Sequence, residues 1–210
     1  LGLSTQLVRP PAKNAYEACK KASSDTVPEG SLGAGTGATL GKLLGMKRAV
    51  KGGVGTICLD LGNGLLVGAI MVVNAAGGLI DPETGITIAG PLQENRKGFL
   101  DTVSLITKPG FQEIQKETPV NTTIGAVITN ATLTKEQANR LAMISQDGIA
   151  MTIRPSHTMV DGDVIFAAGT GEKTQPLDHN EYNLLVIAAT HAVAKAIVRA
   201  VTEATTVDTV

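Results

Sequence analysis

The chain has 210 residues, 43% hydrophobic and only 2% aromatic, enough to bury the core of one domain provided that core is built from Ala, Val, Ile and Leu. A net charge of −1, with both signs scattered and no basic stripe interleaved with aromatics, argues against nucleic-acid binding. No apolar run reaches the ~18 residues of a membrane span, and residues 1–11 have neither the flanks nor the apolar centre of a signal peptide. Cys19 and Cys58 lack metal spacing and read as buried small residues in a reducing compartment, so the expected location is the cytoplasm, with no membrane partner.

The chain opens on Leu1-Gly2-Leu3, which reads as the middle of an element, so the numbering is expected to start inside a longer gene product. Lys13 to Ser23 follows as a short helix with Ala15, Ala18, Cys19 and Ala22 on one side. Ser31 to Lys42 is glycine-rich. Its Gly33, Gly35 and Gly37 lack the Gly-Lys-Ser/Thr of a P-loop and follow no strand, so backbone packing or an active-site wall is expected rather than phosphate binding. Val54–Asp60 and Leu65–Asn74 form a strand pair around Asn63-Gly64, two residues that tolerate positive φ. From Ala75 to Thr118, Gly and Pro punctuation predicts a long loop of the functional or cleavable kind.

The texture turns apolar at Thr122–Asn130, a buried strand. Thr134 and Gln137 make a capping box for a helix to about Ile153, with Ala138, Leu141, Ala142 and Ile149 on its inner side, ended by Arg154-Pro155. Asp161-Gly162-Asp163 precedes a strand over Val164–Ala168. Asp178 and Glu181 open a helix to Ala204 that is apolar over most of its circumference and should pack between layers. Strands and helices mix without a βαβ rhythm, which predicts a layered α+β fold.

Familiar catalytic pairs are scarce. The three histidines, His157, His179 and His191, show no metal spacing, no Gly-x-Ser-x-Gly elbow is present, and His191 reads as a packed side chain in mid-helix. The junction Pro119-Val120-Asn121-Thr122-Thr123 differs, because a long segment ends there and a threonine opens a buried strand. A hydroxyl so placed can attack the preceding carbonyl, giving an ester that water opens. The new terminus then carries a nucleophile beside an α-amine, which with a reference pKa of about 7.7–8.0 can serve as its base without a histidine. Spacing alone does not establish this, since threonine is ordinary at strand starts and Asp-Gly-Asp is ordinary in turns.

Several blocks carry a resemblance. NTTIGAVITNATLTKEQANRLA and RPSHTMVDGDVIFAAGTG, with SLGAGTGATLGKLLG, KGGVGT and VGAIMVVNAAG upstream in the same order, resemble the peptidase family of L-aminopeptidase/D-esterases (DmpA-like), β-aminopeptidases and nylon-oligomer (6-aminohexanoate oligomer) hydrolases. The resemblance covers nearly the whole chain. It implies self-cleavage between Asn121 and Thr122, with Thr122 as the nucleophile; aminopeptidase members carry serine there and the nylon-oligomer branch threonine. It further implies Asn74 as an oxyanion-hole donor, Asp161 and Asp163 as aspartates beside the nucleophile, and an upstream lysine, taken as Lys51 with Lys42 as the alternative. These residue types suit the roles: a neutral Asn N–H aimed at a developing oxyanion is worth ~2.7–4 kcal/mol, and a lysine near an amine lowers its pKa by repulsion.

The fold implied is a four-layer αββα sandwich of the DmpA/ornithine-acetyltransferase type, to which relatives contribute an N-terminal portion that this chain lacks. Residues 1–121 are expected to be the C-terminal part of a large (α) subunit and 122–210 a small (β) subunit, together one domain. The expected function is hydrolysis of a peptide, amide or ester through an acyl-threonine intermediate, with no metal or organic cofactor, by a homo-oligomer of cleaved α/β pairs. Two alternatives stand beside it: acyl transfer to an amine, as in ornithine acetyltransferases, and a non-catalytic binding protein on the same scaffold.

Overall fold

In the computed structural model, residues 10–111 and 121–205 are described. The Leu1-Gly2-Leu3 start, the end of the expected loop and the Pro119-Val120 side of the junction lie outside them. In chain order the elements are α1 (Ala12–Lys20), β1 (Thr39–Leu40), β2 (Val50–Lys51), β3 (Val54–Asp60), β4 (Leu66–Asn74), β5 (Gly78–Ile80), β6 (Thr87–Ala89), α2 (Thr102–Ile106), β7 (Thr122–Ala131), α3 (Lys135–Thr152), β8 (Ile153–Arg154), β9 (Val164–Lys173) and α4 (His179–Thr202).

The main sheet has the order β3-β4-β7-β9. β3, β4 and β7 are antiparallel neighbours, and β9 joins β7 in parallel, so α3 lies in the crossover between the two parallel strands. Alternation along β4 decides which face is buried: Val67, Ala69, Met71 and Val73 point to the helices, with Leu66, Gly68, Ile70 and Val72 opposite. β7 follows the same rule, burying Thr123, Val127, Thr129 and Ala131. Two smaller sheets, β1-β2 and β6-β5-β8, complete the β structure.

Both long helices start where their caps dictate. Thr134 Oγ1 accepts from Gln137 N while Gln137 Oε1 accepts from Thr134 N, and Asp178 and Glu181 make the same reciprocal pair before α4. Tyr182 donates to the Gln137 carbonyl and Thr190 to that of Ile144, so α3 and α4 run side by side in the same sense. α4 packs on β3 and β4, and α3 on β7 and β9. The helix face that meets the sheet is small: Ala188, Ala189, Ala192, Ala196 and Ala200 are buried. Close approach replaces bulk as the source of contact, consistent with the scarcity of aromatics. At Gly55 the approach is tightest, since a Cβ there would lie 2.1 Å from the Ala196 carbonyl oxygen and 2.3 Å from Ala200 N.

Several expectations need correction. The Ala75–Thr118 loop contains β5, β6 and α2, elements of three to five residues that are too short to show a period. The first helix ends at Lys20, buries nothing, and leaves Cys19 exposed; Cys58 is exposed as well, on the strand face away from the helices. β9 runs past Ala168 to Lys173, because an irregularity between Thr129 and Ala131 lets the pairing resume. α4 is, by length and mean hydropathy, apolar enough to cross a membrane, although no continuous apolar run was expected to be so; most of its apolar window is buried in the fold.

The result is an α+β fold, as expected. Described residues supply one helix layer and one four-stranded sheet, whose far face carries the exposed Ile124, Ile128 and Phe166. A Gly55→Ala substitution is expected to push α4 from β3 and destabilise the protein by about 1–3 kcal/mol, read as a lowered midpoint in thermal or urea melts. An unchanged midpoint would contradict the close packing described.

Candidate active site

The site forms where the ends of β4, β7 and β9 meet. Asn74 is the last residue of β4 and pairs in register with Thr122, the first of β7. On the other side of β7, the parallel pairing with β9 is continued by a bridge between Asn121 and Asp161. Strand pairing alone therefore brings Asn74, Asn121–Thr122 and Asp161–Asp163 together from three distant stretches of sequence.

The peptide between Asn121 and Thr122 is contacted from two sides. Thr122 Oγ1 donates a very short hydrogen bond to the Asn121 carbonyl oxygen. Gly162 N donates to the same oxygen at 3.0 Å. The hydroxyl of Thr122 thus lies beside its own preceding carbonyl, and an N–H polarises the same oxygen. Gly162 also leaves the hydroxyl room, because a Cβ there would come within 3.1 Å of Thr122 Oγ1. Asn121 is buried, and its side-chain Oδ1 has no hydrogen-bond partner among the described residues.

The two aspartates have separate roles. Asp163 Oδ1 accepts from Thr123 N at 2.7 Å, which fixes the backbone directly after the nucleophile candidate. Its Oδ2 accepts from His157 N at 3.2 Å and lies 3.1 Å from His157 Nδ1. Asp161 Oδ2 accepts from Thr158 N and Thr158 Oγ1, at 3.0 and 2.6 Å. Sequence reasoning passed over His157, Thr158 and Gly162; their adjacency to the Asp-Gly-Asp pair was the available signal.

Asn74 is held by its acceptor end. Its Oδ1 accepts from Thr39 N at 3.1 Å and from Lys42 Nζ at 2.9 Å, and its carbonyl oxygen accepts from Lys42 Nζ at 3.0 Å. Fixing Oδ1 fixes Nδ2 as the donor end of the amide. The lysine at this site is Lys42 and not Lys51. Gly41 N and Lys42 N donate to the carbonyls of Gly77 and Ala76, pinning Lys42 beside the chain just after Asn74. Lys51 pairs opposite Thr39 in the β1-β2 hairpin, donates from Nζ to the Thr36 carbonyl at 2.6 Å, and lines a separate cleft of about 390 Å³ with Leu92, Arg96 and Phe99. Gly35 packs against the backbone of Gly30, Gly53 and Val54, whereas a Cβ at Gly33, at φ +51°, would meet nothing within 4 Å. His191 is half-buried on α4, away from these residues in the chain's register. Among the described residues no group of three or more His, Cys, Asp or Glu is placed to hold a metal ion.

Burial is the main influence on Lys42, which is 3% exposed. It lowers the ammonium pKa from the ordinary 10.5 to about 8, with the negative charge of Asp161 pulling the other way. Burial lowers Lys51 too.

The α+β fold of this chain recurs in solved structures. The L-aminopeptidase D-Ala-esterase/amidase of Ochrobactrum anthropi, a variant of the Ntn hydrolase fold, superposes with a TM-score of 0.64 at 20% identity, over 91% of this chain and 49% of that one. A Pyrococcus horikoshii protein superposes with a TM-score of 0.66 at 25% identity, over 93% of this chain and 50% of its own. The model of peptidase family S58 matches residues 5–210, and the chain belongs to that family. An uncharacterized aminopeptidase of Mycobacterium leprae is 41% identical over 171 residues, 78% of this chain and 45% of its own length. A 6-aminohexanoate-oligomer endohydrolase of Kocuria sp. is 28% identical over 159 residues, 71% of this chain and 41% of its own. The chain thus spans about half the length of the curated relatives it matches.

The Lys42 shift has a measurable sign. Because its folded pKa lies below the unfolded one, the fold penalises the protonated form: the cost is full below about 8, shrinks between about 8 and 10.5, and is gone above. The stability of the wild type relative to Lys42→Met is therefore expected to improve from pH ~7 to pH ~10. Urea titrations at both pH values check it, and a constant difference would contradict the buried, depressed ammonium.

Proposed function

We propose that the protein is a self-cleaving amide hydrolase, aminopeptidase-like, whose nucleophile is the Thr122 hydroxyl. The observation that carries the reading is the double contact on the Asn121 carbonyl, from Thr122 Oγ1 and from Gly162 N.

Self-cleavage begins with attack of Thr122 Oγ on the Asn121 carbonyl carbon. The C–N bond breaks as the hydroxyl proton passes to the departing nitrogen, leaving an ester between Asn121 and the Thr122 side chain. Water opens the ester, releasing an Asn121 carboxylate and the Thr122 hydroxyl, which now stands beside the amine freed in the first step. In the mature site that amine takes the hydroxyl proton as Oγ attacks a substrate carbonyl, and returns it to the leaving amine. Asn74 Nδ2 stabilises the oxyanion, since its Oδ1 is held by Thr39 and Lys42. Lys42 and Asp161 balance charge beside the new amine, and Asp163 keeps β7 in place through Thr123 N. Residues 1–121 and 122–210 then form the two parts of one domain.

The substrate class is a small peptide, amide or ester, supported by membership of peptidase family S58 and by relatives described as aminopeptidases and as oligomer endohydrolases. Exposed apolar side chains on the helix layer, Met143, Leu184 and Ile187, support a homo-oligomer of cleaved pairs. The two unpaired, exposed thiols of Cys19 and Cys58 support a reducing, cytoplasmic location.

N-terminal sequencing of the purified wild type is expected to yield a chain beginning Thr-Thr-Ile-Gly, and Thr122→Ala is expected to remain in one piece. A Thr122→Ala protein cut at the same bond would falsify the assignment. With Thr122 intact, Asn74→Ala is expected to lower kcat on an amino-acid p-nitroanilide by about 10²–10³; a change confined to KM would remove Asn74 from the oxyanion role.

A further inference from the structure

We propose that His157 and Thr158 are positioning residues for the reaction centre, forming a clip that holds the carboxylates of Asp161 and Asp163 in fixed relation to Thr122. The inference rests on the reading of Thr122 as nucleophile and adds two residues to it.

The two neighbours serve different carboxylates. His157 brings its backbone N and ring Nδ1 to Asp163 Oδ2, at 3.2 and 3.1 Å. Thr158 brings its backbone N and Oγ1 to Asp161 Oδ2, at 3.0 and 2.6 Å. The Oδ2 of each aspartate is thus contacted by one backbone and one side-chain group of the same residue. The turn is closed by Asp161 N donating to the Thr158 carbonyl at 3.0 Å.

The carboxylates need such holding. They flank Gly162, whose N–H donates to the Asn121 carbonyl. The backbone of His157 has φ +55°, in the left-handed region that residues with a Cβ enter rarely. A path of contacts therefore runs from His157 through Asp163 to Thr123 N, one residue past the nucleophile. The Asp163 side chain is only 4% exposed, so little water competes for it.

The experiment follows self-cleavage by intact mass after cell-free synthesis of the full-length protein, with thermal melting of each variant. Thr158→Val, which keeps the shape and removes Oγ1, is expected to fold and to cleave at least about tenfold more slowly, equivalent to ~1.4 kcal/mol of barrier. Thr158→Ser, which restores the hydroxyl, is expected to recover the wild-type rate to within about threefold, less than ~0.7 kcal/mol. A role in folding alone would move melting and not produce this split. A folded Thr158→Val protein that cleaves at full rate overturns the clip. If that variant does not fold, the serine variant decides: a near-normal rate supports the clip, and a rate as slow as the valine expectation overturns it. Thr122→Ala runs alongside, because cutting in that variant would defeat the nucleophile assignment, whereas normal cutting in Thr158→Val defeats only the clip.

Discussion

The site depends on one strand pairing carried beyond its end. β7 and β9 lie parallel from Ile124 and Val164 onward, and the bridge of Asn121 to Asp161, three residues earlier on each strand, extends that pairing past Thr122. Because of that extra step, Gly162 N reaches the Asn121 carbonyl and Asp163 reaches Thr123 N. Ladder geometry leaves little freedom in such placements, since a shift of one residue would turn every side chain of β7 to the opposite face. The register of β7 is pinned on its other edge by β4, where Val67, Ala69, Met71 and Val73 must all stay buried. Packing of the core and alignment of the reactive groups are consequently one constraint.

Core composition explains how helices come so near that sheet. Alanines on α4 and Gly55 on β3 bring backbones into contact where larger residues would hold them apart. Few aromatics are needed when dispersion contacts are made by the main chain itself. The same economy leaves little slack, so the ends of the strands sit on a stiff frame.

Much of this was legible in the sequence, and the misses have physical reasons. Long elements with a clear period or a capping box, such as β4, β7, α3 and α4, were read within a few residues of their ends. Asn74, Thr122, Asp161 and Asp163 were singled out by the resemblance of the blocks that hold them, and the structure brings all four together. Lys42 and Lys51 could not be told apart by spacing, as both precede or follow glycine in an upstream block. Only the turn at Gly41 and the β1-β2 hairpin, which carries Lys51 to the far side of Thr39, separate them. His157 was weighed only for metal spacing and given no role, because its contacts depend on a fold that brings it beside Asp163. β5, β6 and α2 escaped because three to five residues complete less than two repeats of any pattern.

The sheet draws two strands from each side of position 121: β3 and β4 before it, β7 and β9 after it. Interrupting the backbone there would turn an intramolecular sheet into a complex of two polypeptides, each exposing an unpaired edge when alone. Their union would then be governed by mass action, and once denatured and diluted the pieces would have to find one another before any core could re-form. Such a protein would owe its persistence to the height of its unfolding barrier, not to an easily regained equilibrium.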